Sequence, residues 1–221
     1  MNWKQNLLNS CVGFFLLALA AGTAWQSRAL AVGGQAESKR VALTFDDGPN
    51  WKYTPQLLEG LKERGVVCSF FLLGQRVEVQ RDLVRDMYEA GHLLGNHTYD
   101  HRRLGSLSEQ EAREELEKTS ALIQDITGED CLYVRPPYGE WKDGLGQELS
   151  VIPVLWTVDS RDWSLQEPQA VVRRVVSQVQ DGDIILMHDD YAASVEAALD
   201  IVDQLQKEGY TFVTVDQLVL E

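Results

Sequence analysis

Short apolar runs alternate along this chain with longer stretches in which apolar residues recur every three or four positions. The first run, Val41 to Phe45, reads as a buried strand, and the stretch Thr54 to Arg64 as an amphipathic helix that stops at Gly65. Val66 to Leu73 reads as a second strand and Val77 to Ala90 as a helix closed by Gly91, with a short strand over His92 to Gly95. Ser108 and Glu111 have the spacing of a capping box, opening a long helix to Ile126 that Gly128 ends. Leu132 to Val134, Val151 to Trp156, Asp183 to Met187 and Tyr210 to Val213 complete the strands, with helices near 168–179 and 192–208. Repeated β-α units predict a parallel sheet or barrel with its helices outside.

The polar residues of chemical interest fall where those strands end. Asp46 and Asp47 follow the first, His97 and His101 the third, Arg135 the fourth, Asp159 and Asp162 the fifth, and His188 the sixth. Parallel α/β folds place their active sites along that edge. Two histidines at i and i+4 are expected on one face of a helical turn. With a distant carboxylate they supply three ligands to one divalent metal and leave positions open, as a catalytic site requires. Adjacent carboxylates at Asp46-Asp47 repel each other unless a cation or an arginine relieves them. His92, with no ligand-type partner nearby, reads as structural, and Asp189 as a cap for the helix that follows it.

The chain before residue 32 differs from the rest. Lys4 precedes a run from Gln5 to Ser27 that is almost free of charge and is continuously apolar, Gly13 apart, over Val12 to Ala21. Residues 1–31 are therefore expected to act as an export signal or a membrane anchor, and residues 32–221 as one domain outside the cytoplasm. Gly22-Thr23-Ala24 and Ala29-Leu30-Ala31 both offer cleavage patterns. Of 20 basic residues Lys4 and Arg28 lie in that segment, against none of the 34 acidic ones. So acidic a domain repels nucleic acid and suits a neutral or cationic substrate. Cys68 and Cys131 sit in apolar surroundings and read as buried thiols, with one disulfide as the alternative in an exported protein.

Five segments together carry a resemblance. Thr44-Phe45-Asp46-Asp47-Gly48, His97-Thr98-Tyr99-Asp100-His101, Arg135-Pro136-Pro137-Tyr138-Gly139, Asp159-Ser160-Arg161-Asp162-Trp163 and Leu186-Met187-His188 resemble, in order, the five motifs of the polysaccharide deacetylase family. This is the NodB-homology domain of carbohydrate esterase family 4, and the likeness runs from Val41 to the C-terminus. It implies a distorted (β/α) barrel, usually seven-stranded, holding one divalent metal, zinc first, with cobalt, manganese and nickel as substitutes. By the family's pattern Asp47, His97 and His101 bind the metal, Asp46 is the general base and His188 the general acid. Arg135 would keep the base ionised and Asp162 would orient His188. Tyr138 would offer its backbone N–H to the oxyanion, and Trp163 and Leu186 would line the acetyl pocket. Glu140-Trp141-Lys142-Asp143 stands where the family often has an asparagine, and is expected to rim the cleft.

The resemblance implies removal of N-acetyl groups from amino sugars in a glycan, peptidoglycan or chitin-type. A bacterial cell-wall glycan is the leading substrate, and O-acetylated xylan is the rival within the family. No protein partner is expected. A mononuclear iron oxygenase also uses two histidines and a carboxylate, but has no need of His188. An inert glycan-binding relative would be expected to have lost a ligand or the base, and all five of these residues are present.

Overall fold

The computed structural model describes residues 39–219, so the apolar N-terminal stretch and its cleavage patterns lie outside the described residues. Among the described residues no helix is long and apolar enough to cross a membrane. The strands are β1 (Lys39–Asp46), β2 (Ser69–Leu72), β3 (Leu93–Asn96), β4 (Tyr133–Val134), β5 (Ile152–Pro153), β6 (Val158–Asp159), β7 (Asp183–His188) and β8 (Tyr210–Phe212). The helices are α1 (Thr54–Glu63), α2 (Gly74–Val79), α3 (Arg81–Glu89), α4 (Glu109–Thr127), α5 (Leu145–Leu149), α6 (Asp162–Leu165), α7 (Pro168–Val176), α8 (Ala192–Lys207) and α9 (Asp216–Val219).

Seven strands pair side by side in the order β5-β4-β3-β2-β1-β7-β6, and β8 joins the beginning of β1. All of these pairings are parallel. The sheet curls into a distorted barrel with helices packed outside, as predicted. β1 is its centre and is buried on both faces, which is why it reads as an unbroken apolar run. Val41, Leu43 and Phe45 pack in the main core with α8 residues such as Ile201 and Leu205. Ala42, on the other face, packs with Phe71, Tyr133 and Val154.

Parallel register converts this topology into a site. Asp46, the last residue of β1, is the partner of His188, the last residue of β7, and of Phe71 in β2. Asn96 in β3 pairs with Val134, so His97 and Arg135 leave neighbouring strands side by side. Asp159 in β6 pairs with Leu186.

The differences from the sequence reading are local. The helix expected over 77–90 is two, broken at Gln80, whose side chain donates to the Pro49 carbonyl at 2.7 Å. The strand expected over 151–156 ends at Pro153, and β6 forms separately at 158–159. Asp159 thus lies within a strand, and His188 ends the seventh strand, not the sixth. The capping box at Ser108 is present, and Gly128 closes α4 at φ 78°. Cys68 and Cys131 are free and buried, and burial pushes both thiols up, the latter to about 12. His92 is structural: its Nδ1 accepts from the Cys68 N–H at 3.1 Å, and burial lowers it to about 4.

Candidate metal centre and catalytic cleft

The C-terminal ends of β1, β3, β4, β6 and β7 and their loops enclose a cleft of about 440 Å³. Of the eleven candidate site residues named from the sequence, Asp46, Asp47, His97, His101, Tyr138, Asp159, Trp163, Leu186 and His188 line it. Arg135 and Asp162 lie beneath, bonded to Asp46 and His188.

Asp47, His97 and His101 face one another. The Asp47 Oδ1 is 3.5 Å from the Nε2 of each histidine, and all three ligand atoms lie within 4.8 Å. Atoms held about 2.0–2.2 Å from a tetrahedral ion sit roughly 3.3–3.6 Å apart, so the spacing already suits one divalent metal. That same oxygen is buried and has no hydrogen-bond partner, a costly state that a cation relieves. The His97 Nδ1 lies 2.6 Å from the Arg135 carbonyl, an acceptor, so the proton sits on Nδ1 and Nε2 keeps its lone pair. Burial lowers His101, with His97 acting in the same direction and Asp47 opposing, which favours its neutral, ligating form.

The helical turn expected for the two histidines is not there. Residues 97–103 form a loop in which Thr98 and His101 take left-handed conformations (φ 68° and 65°). A local bond starts it, the Asn96 side chain accepting from the Thr98 N–H at 2.8 Å, and non-local ones hold it: Glu115 accepts from the Tyr99 N–H at 2.9 Å, and the Thr98 and Tyr99 carbonyls accept from the Gly74 and Gln75 N–H groups at 3.0 Å. Asp47 and Tyr138 are also left-handed, at φ 71° and 61°. Such residues cost about 1–3 kcal/mol each and collect at functional sites.

Asp46 is buried beside this triad, its Oδ2 3.8 Å from His97 Nε2. Its Oδ1 accepts from Arg135 Nη1 at 2.8 Å. His188 Nδ1 lies 2.8 Å from Asp162 Oδ1, and the His188 N–H donates to Asp162 Oδ2, also at 2.8 Å. Burial pulls His188 down, but the bond and charge of Asp162, with Asp46 and Asp47, hold it up at about 9. For Asp162, burial pushes up and is outweighed by the bonds from His188, leaving its carboxyl below the usual range. The buried Asp162 carboxylate thus favours the protonated form of the imidazole above it.

Sequence reasoning missed Trp156, Asp190 and Tyr191, which also line the cleft. Their signal was weak: Trp156 ends an apolar run, and the other two follow His188-Asp189. Asp190 is held by Arg76 and by Asn50 Nδ2 at 3.0 Å. The residues expected to rim the cleft, Glu140 to Asp143, do not line it. Glu140 pairs with Arg103, whose guanidinium covers the Tyr138 ring at 4.3 Å. Trp141 packs on Leu104 and Leu107, and Lys142 donates to the Leu107 carbonyl at 2.7 Å.

A parallel barrel with an Asp-His-His cluster that fits a divalent metal, and a second carboxylate beside it, is the arrangement a metal-dependent hydrolase requires. The chain belongs to the polysaccharide deacetylase family, whose model matches residues 33–153. It is 41% identical over 180 residues to the peptidoglycan-N-acetylmuramic acid deacetylase PdaC of Bacillus subtilis, covering 81% of this chain and 38% of that protein. A solved structure of peptidoglycan deacetylase PdaC from the same organism superposes with a TM-score of 0.80 at 40% identity, covering 82% of this chain and 90% of that one. A peptidoglycan-N-acetylglucosamine deacetylase of Bacillus cereus is 35% identical over 189 residues, covering 82% of this chain and 88% of the relative. The chain thus spans about two fifths of full-length PdaC and most of the Bacillus cereus protein.

Proposed function

We propose that the protein is a zinc-dependent N-deacetylase of amino sugars in peptidoglycan, acting outside the cytoplasm. The observation that carries this reading is the unpartnered Asp47 Oδ1 between two histidine Nε2 atoms, with Asp46 alongside. The relatives act on peptidoglycan by name, and the apolar N-terminal stretch supports an extracytoplasmic site or an anchor at the outer face of the membrane.

Asp47, His97 and His101 would hold the zinc, which when bound would supply Lewis-acid polarisation of the acetyl carbonyl and lower the pKa of water from ~15.7 towards ~7. Asp46 takes the proton from the attacking water, and Arg135 keeps it oriented and paired while it waits. The Tyr138 backbone N–H stabilises the oxyanion, a contribution worth about 3–4 kcal/mol for one such donor. Trp163 and Leu186 receive the acetyl methyl group. His188, with Nδ1 committed to Asp162, gives its Nε2 proton to the departing amine, which is a poor leaving group until protonated.

Acetate release from N-acetylglucosamine oligomers by the full chain is expected to vanish on chelation and return with zinc. No release from folded, zinc-loaded protein would reject N-deacetylation of such oligomers and turn attention to O-acetyl esters or intact wall.

The pH profile follows from His188. The acid must be protonated, so activity falls as pH rises through its pKa. A bound dication opposes the neighbouring carboxylates, placing the alkaline limb between the ordinary 6.5 and about 9. Asp162→Asn removes the charge that raises His188, and is expected to move that limb lower by about 1–3 pH units. An unmoved limb would exclude His188 as the titrating acid.

A further inference from the structure

Asp47 is held in a left-handed conformation with no glycine to ease it (φ 71°). That conformation is disfavoured for a residue with a Cβ, so neighbouring structure must impose it. The residues that follow Asp47 show how. Asp189, next to the acid His188, is wholly buried, and its Oδ2 accepts from the Thr54 hydroxyl. The Thr54 oxygen accepts in turn from the Asn50 N–H at 2.7 Å. Gly48 closes over the same carboxyl: a Cβ built on it would lie 2.8 Å from both Asp189 oxygens. Its carbonyl accepts from the Leu73 N–H at 3.0 Å. Asp189 therefore does not cap the helix after it. It ties the end of β7 to the start of α1, across the loop that carries Asp47.

We infer that Asp189 is a positioning residue for the metal centre, acting with Thr54 and Gly48 as a buried latch. The latch holds Asp47 in the left-handed conformation that turns its carboxylate toward His97 and His101. This rests on the metal-site reading, with one part that does not: the latch must hold the loop in the metal-free chain as well. The half-buried Asp190 reaches this loop only at the Asn50 side chain, at 3.0 Å, whereas Asp189 meets both Gly48 and Thr54, and the Asp189 Oδ1 has no hydrogen-bond partner to recommend it for another task.

The test compares Thr54→Val, which removes the hydroxyl at nearly equal volume, with Thr54→Ser, which keeps it. Zinc affinity is read by competition with a chromophoric chelator. Hydrogen exchange at the Leu73 amide, which is bonded to Gly48, is read without metal. Thr54→Val is expected to weaken zinc binding about 10–100-fold, the usual cost of a lost outer-shell partner, and to speed Leu73 exchange about tenfold or more. Thr54→Ser is expected to stay near the parent in both. Asp189→Ala should repeat the Thr54→Val result. Parental exchange and parental zinc affinity in Thr54→Val would overturn the latch. So would equal losses in the valine and serine variants, which would mark a packing role alone. Faster Leu73 exchange in Thr54→Val, with a parent that binds no zinc, would keep the latch and reject the metal site.

Discussion

Asp46→Asn is expected to lower acetate release by about 10²–10⁴-fold, the usual contribution of a positioned general base, while zinc content stays near one per chain. The amide keeps the shape of the side chain and an oxygen for Arg135 Nη1, so the buried pair is not broken open. What it loses is the capacity to take a proton. His101→Ala, by contrast, removes one of three metal-facing atoms, and is expected to lose both zinc and turnover. The two variants together separate base from ligand, although Asp46 and Asp47 are adjacent and both lie near His97 Nε2. If Asp46→Asn lost zinc, Asp46 would be a ligand. If it kept both zinc and near-parental turnover, the base would be another group.

Most of the site is legible in the chain because a parallel strand is an apolar run with a polar residue at its end. Val41 to Phe45 followed by Asp46, and Ile184 to Met187 followed by His188, show this directly. Register then does the rest: Asp46 and His188 become partners with no information beyond strand order. The loop of His97 and His101 was misread because the i,i+4 spacing is shared by a helical turn and by a tight loop. What decides between them is tertiary, namely Glu115 accepting from the Tyr99 N–H and the Gly74 and Gln75 N–H groups donating to the Thr98 and Tyr99 carbonyls. No local pattern reports those bonds.

Three other differences have different physics. β6 is two residues long, too short to display a period, and exists because Val158 and Asp159 pair with β7. Asp189 looked like a cap because aspartates before helices usually are caps. Its burial against Gly48 depends on a loop about 140 residues earlier, which local sequence cannot report. Glu140 to Asp143 are expected at the rim because they stand where the family often has an asparagine. The left-handed turn at Tyr138 and Gly139 instead sends the chain away toward Leu104 and Leu107.

Arg135→Met is expected to cost about 3–5 kcal/mol of stability, the penalty for stranding a buried charge by removing its partner. Arg135 is fully buried, and its fork is used on every side. Nη1 donates to Asp46 and to Thr44 Oγ1 at 2.8 and 2.7 Å, Nε to the Val154 carbonyl at 3.2 Å, and Nη2 to the Leu155 carbonyl at 3.3 Å. Its guanidinium also lies over the Phe71 ring at 4.1 Å. Methionine fills much of the volume and keeps the contact with Phe71, but leaves Asp46 and two carbonyls without donors. Arg135→Lys retains the charge without the planar fork, and is expected to fall between the two. Urea unfolding of metal-free protein measures the cost, since bound zinc would add its own stabilisation to the folded state. A methionine variant as stable as the parent would mean that Asp46 finds another partner or water. It would then follow that Arg135 serves the reaction by orienting Asp46, and not by making its burial tolerable.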